Sequence, residues 1–250
     1  MVKEEYYRMA DTEKEHWWYR SLHFLVLSHI KKYFNERNIK IIDAGCGTGG
    51  LITFMKKQGY INIDGFDASD IAVQICNKQN IAAFKGDLRN ISKYYMDNHA
   101  DVVISNDTFY FLDMEDQRNL TDEVNNVLRK DGLLITNIPS LQAFRGIHDV
   151  QVGIKKRFDK KDIWKIFDRN KYSLVTEMYW PFVLSPPIWF ARFMQRTKMK
   201  MNPDTVIKSD LSKQNKFINS ILFYITNFEN NMLSRKPFGS SLFLVMKKKS

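Results

Sequence analysis

Apolar and polar positions along this 250-residue chain keep changing period, and the changes mark out its elements. From Glu13 to Phe34, the residues Trp17, Trp18, Leu22, Leu25, Val26, Ile30 and Phe34 recur mostly three and four apart. Lys14, Arg20 and Lys31 are left toward solvent, which predicts an amphipathic helix within a helical stretch over 1–36. Short apolar runs then alternate with helical ones. Strands are expected at 41–42, 61–67, 82–87, 100–105 and 133–138, with helices over 51–58, 70–78 and 113–127 between them. Ser69 suits an N-cap, Gly59 follows a helix as a C-cap glycine would, and 128–132 reads as a turn. Such alternation predicts a parallel sheet covered by helices on both faces.

After Ser140 the pattern changes. Residues 140–158 read as a loop or broken helix, 160–168 as a short helix and 174–179 as a strand. An elaboration at 181–237 follows, with an aromatic, basic piece at 182–196, a flexible stretch at 197–216 and a helix at 217–232. A strand at 241–246 closes the pattern. The expected organisation is a helical cap (1–36), a sheet domain (37–180 and 238–250) and a helical elaboration or lid (181–237).

The stretch from Lys40 to Gly50 organises the rest. Ile41 and Ile42 end a buried strand, Asp43 stands at its mouth, and Gly45, Gly47, Gly49 and Gly50 allow a sharp turn close to a ligand. Strand, glycine turn and helix together present free backbone N–H groups. Two glycine fingerprints overlap here, one of them the dinucleotide pattern that an NAD(P)-dependent oxidoreductase would carry. An acid directly at the strand end is poorly placed beside a pyrophosphate and suits a cationic amine. Asp67, seventeen residues past Gly50, is positioned to grip ribose hydroxyls, and Asp87 can accept from an adenine amine.

Composition narrows the setting more than the chemistry. The net charge is +10 and 44% of residues are apolar, so a substantial core is available and anionic partners are admitted. No run of 18 uncharged apolar residues and no N-terminal apolar segment occur, so neither a spanning helix nor a secretory signal is expected. Two cysteines, Cys46 and Cys76, without metal-ligand spacing point to a reducing cytoplasmic setting with no disulfide framework and no metal.

These residues resemble the class I S-adenosylmethionine-dependent methyltransferases. Asp43 to Gly49 looks like their first motif, Asp67 like the ribose-binding acid, and Gly86-Asp87-Leu88 like the adenine-edge motif. Asn106 onward and 128–138 resemble the segments after their fourth strand and into their fifth. The His16-Trp17-Trp18-Tyr19-Arg20 cluster and the 148–158 segment are similar to a bacterial small-molecule branch of the family, type 11-like. The resemblance implies a doubly wound, Rossmann-like, seven-stranded, mostly parallel α/β sheet. It implies S-adenosylmethionine as cofactor and S-adenosylhomocysteine as product. Asp43 and the backbone of Gly45, Cys46 and Gly47 would hold the methionine end, with Asn106 beside it. Asp67 would take the ribose, and Asp87 with the Leu88 N–H the adenine. Ala44 and Ala68 join these cofactor positions, and Trp18 and Arg20 form a cap in which Arg20 meets a carboxylate.

On the acceptor side His148 is the candidate base, with Asp149 placed to orient it. The Asn/Asp-Pro-Pro-Tyr/Phe tetrapeptide is missing, as is a Pro-Cys pair, and no RNA-binding module is appended. A small-molecule acceptor is therefore favoured, including a sugar- or lipid-linked one, methylated on oxygen or nitrogen. An RNA or protein methyltransferase using the basic surface is the alternative; a non-catalytic cofactor-binding protein is another. The apolar and basic residues at 182–200 suit either a lid or peripheral contact with an anionic membrane.

Overall fold

Ile41 and Ile42 show how the chain builds its core. Successive side chains of a strand point to opposite faces. Ile41 therefore joins one apolar layer with Leu22, Val26, Val102, Ile104 and Ile135, while Ile42 joins the other with Val103, Leu120, Val124 and Leu134. All four residues of β1 (Ile41–Ala44) are buried, as a parallel strand covered on both faces must be.

The computed structural model describes residues 3–201, 215–233 and 235–249. Two helices open the chain, α1 (Lys3–Thr12) and α2 (Trp17–Tyr33). Thus the helical stretch expected over 1–36 is broken at 13–16. After β1 come α3 (Gly50–Lys57), β2 (Ile63–Asp67), α4 (Asp70–Lys78), β3 (Ala83–Lys85), α5 (Ile91–Tyr94), β4 (Ala100–Ile104) and α6 (Met114–Val127). Then follow β5 (Leu128–Pro139), α7 (Ile147–Val152), α8 (Lys160–Ile166), β6 (Tyr172–Trp180), α9 (Ser185–Met201), α10 (Lys216–Met232) and β7 (Ser241–Lys248).

The strands form one seven-stranded sheet in the order β3-β2-β1-β4-β5-β7-β6. Strands β1 to β5 are parallel, and β7 runs antiparallel between β5 and β6. The chain winds one way from β1 to β3 and the other way from β4 to β5. The strand order therefore reverses beside β1, which opens a crevice at the carboxyl ends of β1 and β4.

Local signals hold in part. The Ser69 hydroxyl accepts from the Ala72 N–H at the start of α4, and Gly59 takes φ +89° after α3. Two boundaries differ. The expected turn at 128–132 belongs to β5, because Leu128 pairs with Ala100 before a register shift carries Leu133 opposite Val102. The expected flexible stretch is helical as far as Met201, since α9 continues the 182–196 piece; 202–214 lie outside the described residues. Among the described residues no helix is long and apolar enough to cross a membrane.

Candidate functional site

The glycine turn sits at the crevice, and its geometry explains its composition. Gly45, Gly47 and Gly49 have φ of +81°, +54° and +82°, a region that side chains with a Cβ rarely enter. Space is also short. A Cβ on Gly45 would lie 2.4 Å from Thr108 Cγ2, and one on Gly47 2.7 Å from Met9 Cε. The Asp67 carboxylate fixes the turn from β2: Oδ2 accepts from the Gly47 N–H at 3.0 Å and Oδ1 from the Ser69 N–H at 2.8 Å. Cys46 and Cys76 are free thiols, and the Gly47 carbonyl accepts from both.

A cavity of about 800 Å³ opens above this turn. Its lining includes most of the residues expected from sequence: Trp18, Asp43, Gly45, Cys46, Gly47, Asp67, Ala68, Asp87, Leu88, Asn106 and His148. Two expected cofactor positions do not line it. The Arg20 guanidinium lies 3.9 Å over the Phe223 ring, because α10 packs along α2 and captures it there. Ala44 is wholly buried inside β1 with its side chain in the core. Asp149 does not orient His148. Its two oxygens accept from Arg157 Nε and Nη2 at 2.7 and 3.1 Å, and one also accepts from the Gly146 N–H. Asp87 lines the cavity, yet its carboxylate is engaged by Arg89 through Nε and Nη2.

Two further acids, without a motif to mark them in the sequence, also line the cavity. Glu13, in the break between α1 and α2, reaches the glycine turn and accepts from the Thr48 hydroxyl at 2.6 Å. The turn leaves it room, since a Cβ on Gly50 would strike its carboxyl at 2.5 Å. Asp107 follows β4 with φ +54°, and both of its oxygens lie 3.1 Å from Asn137 Nδ2. Asn137 Oδ1 accepts from Trp180 Nε1 at 2.8 Å, and the Trp180 ring stacks on Trp18. The aromatic cap and Asp107 are thus joined through one buried network.

Burial and mutual repulsion set the protonation of these acids. Asp43 is pushed up to about 8, first by burial and then by the Asp67 and Glu13 carboxylates. Burial also pushes Glu13 to about 7 and Asp107 to about 7, and it raises Asp67. Arg157 is buried and turned inward, with Nη1 donating to the Ser140 and Ser240 carbonyls. It ties the end of β5 to the start of β7 within the cavity lining.

These residues fit S-adenosylmethionine. A cluster of three carboxylates, Asp43, Asp67 and Glu13, calls for a cation such as its amino group and sulfonium. Asn106 Oδ1 and His16 Nε2 are buried without a hydrogen-bond partner, which is costly unless a ligand supplies one. The positive-φ glycines bring bare backbone to the crevice. Asp107, Tyr110, His148, Arg192 and Gln195 line the same cavity.

Known proteins are similar to this chain in sequence and in fold. Residues 41–132 match the family described as methyltransferase domain. The ribosomal protein L11 methyltransferase of Thermotoga petrophila is 28% identical over 147 residues, covering 57% of this chain and 49% of the relative. The malonyl-[acyl-carrier protein] O-methyltransferase of Bacillus cereus is 26% identical over 149 residues, covering 57% and 51%. This chain therefore spans about half the length of the curated relatives it matches. A crystal structure of an S-adenosylmethionine-dependent methyltransferase from Archaeoglobus fulgidus superposes with a TM-score of 0.57 over 91% of this chain and 94% of that one, at 18% identity. Residues 41–132 thus match a methyltransferase domain, and the chain as a whole has the fold of S-adenosylmethionine-dependent methyltransferases.

Proposed function

We propose that this protein transfers a methyl group from S-adenosylmethionine to an oxygen or nitrogen of a small molecule, including a sugar- or lipid-linked one. One observation carries the reading. One cavity is lined both by the carboxylates Asp43, Asp67 and Glu13, which suit a cationic donor, and by His148, Arg192 and Asp107, which suit an acceptor.

The bound cofactor supplies a methyl group already activated by positive sulfur, so the transfer is an in-line displacement. The protein's task is then mainly positioning, which can contribute ~7–11 kcal/mol. Asp43, with Glu13 behind it, would hold the amino end. Asp67 keeps the glycine turn in place and offers its remaining lone pairs to the ribose. Asn106 would give its unpartnered oxygen to the methionine portion. Leu88 and Asp87 border the adenine end, where Arg89 competes for the Asp87 carboxylate. Trp18 closes the cap over the crevice and excludes water. Where the acceptor must lose a proton, His148 is the proposed base. Asp107 is the second candidate, because a buried acid held near 7 and pinned by Asn137 can accept one.

Calorimetric titration tests the cofactor assignment. S-adenosylhomocysteine is expected to bind and NADH is not; tight NADH binding without S-adenosylhomocysteine binding overturns it.

A further inference from the structure

Helix α10 is apolar on its outer side as well as on the inner one, where Phe223 packs with Trp17 and Leu184. Its buried positions include Thr226 and Glu229, whereas Phe217, Ile218, Ile221, Tyr224, Phe228 and Met232 all face solvent. Phe217, Tyr224, Phe228 and Met232 are between 65 and 73% exposed, so no part of the described structure covers them. At 100° per residue these six positions fall within one stripe along the helix. The neighbouring α9 repeats the arrangement. Trp189, Phe190, Phe193 and Met194 are exposed on one side, with the Trp189 and Phe193 rings stacked 5.6 Å apart. Contiguous exposed apolar surface of this kind marks an interaction site.

Charge identifies the occupant. Across both helices the one acid is Glu229, and it is wholly buried, accepting from the Phe182 and Val183 N–H groups at 2.7 Å. The bases are Arg192, Arg196, Lys198, Lys200 and Lys216, of which Lys198 and Lys216 are exposed. Two copies meeting through this face would bring like charges together. An anionic surface would meet them favourably, and aromatic side chains on an amphipathic helix suit the lipid headgroup boundary.

We propose that the outer face of α9 and α10 docks on an anionic lipid bilayer. The 182–200 piece singled out from sequence is the smaller part of this surface, and α10 supplies the larger. Helix α9 serves both sides. Ile188, Ala191, Arg192 and Gln195 line the cavity, while Trp189, Phe190, Phe193 and Met194 face outward. Docking therefore sets the acceptor half of the cavity beside the lipid, and the acceptor class that fits is an amphiphile with a polar head. This last step rests on the proposed methyl transfer; the docking itself does not.

Vesicle co-sedimentation tests it. The full chain is expected to sediment with vesicles of mixed phosphatidylglycerol and phosphatidylcholine, weakly with phosphatidylcholine alone, and less at high salt. The double variant Tyr224→Ser/Phe228→Ser should lose at least about tenfold in vesicle affinity. Its thermal melt and S-adenosylhomocysteine titration should stay unchanged. Failure to sediment with the mixed vesicles overturns the proposal. So does a concentration-dependent dimer in ultracentrifugation that the double variant abolishes while vesicle binding persists, since a second copy then covers the face. Because the homocysteine titration is read separately, a failed docking result leaves the cofactor assignment standing.

Discussion

The two halves of the cavity are built from different materials. The donor half is mostly backbone and short acids delivered by strand ends: Asp43 from β1, Asp67 from β2 and the glycine turn between them. Each is fixed by neighbours close in sequence or directly across the sheet, as when Asp67 accepts from Gly47 and Ser69. The part proposed for the acceptor is made of side chains gathered from α7, α9 and the segment after β4, held by contacts between distant segments. Asp107 is placed by Asn137, Asn137 by Trp180, and Trp180 packs against Trp18. A ligand common to many proteins can be met by geometry that the sheet itself dictates. A ligand particular to one protein requires groups assembled over the whole chain.

The comparison is broken most strongly on the acceptor side. His148→Ala should leave S-adenosylhomocysteine binding intact and lower turnover by roughly 10²–10⁴-fold, the range for losing a positioned base. If turnover survives that change but falls by a similar factor in Asp107→Asn, the proton acceptor is Asp107. On the donor side, Asp67→Ala removes the partner of the Gly47 N–H and the proposed partner of the ribose. It should weaken S-adenosylhomocysteine binding by more than about tenfold. An unchanged affinity in calorimetry would place the ribose elsewhere.

A smaller effect sharpens the contrast through pH. Asp43 has its ordinary value of 3.8 in the unfolded chain and about 8 in the fold, so the folded protein retains a proton that the unfolded chain gives up. Its contribution to stability is complete below pH 4 and declines as pH rises through 8. The melting temperature of the ligand-free protein should fall over that window, and Asp43→Asn should flatten the slope. A cationic cofactor favours the ionised carboxylate. Its affinity should therefore rise with pH up to about 8, by at most about tenfold per unit, with proton release in calorimetry. A pH-independent affinity would remove Asp43 from the cationic end.

The same contrast decides what can be read from the sequence. The strand-glycine-helix spacing announced Asp43, Asp67 and the turn, because those residues are set by local geometry that recurs wherever this crevice is built. Glu13 carries no local signal because it reaches the turn only through the fold, in a contact between residues 35 apart in the chain. For Arg20, a helical period gives the face of the residue but not which neighbour claims it, and here Phe223 does instead of a cofactor carboxylate. Asp149 sits beside His148 in sequence, yet Arg157 takes both its oxygens. The helix over 217–232 was foreseen nearly to the residue. That its apolar stripe faces outward is a matter of which side α2 covers.

The placement of β7 has one further consequence. Trp180, the last residue of β6, pairs with Ser241, the first of β7, so residues 181–240 leave and re-enter the sheet at adjacent points. Any segment spliced between such neighbours can change length at little entropic cost, about 0.6 kcal/mol per doubling. The arm is thus an exchangeable cassette. Exchanging it would replace the proposed acceptor wall and docking face together, while strands β1 to β5 keep their register.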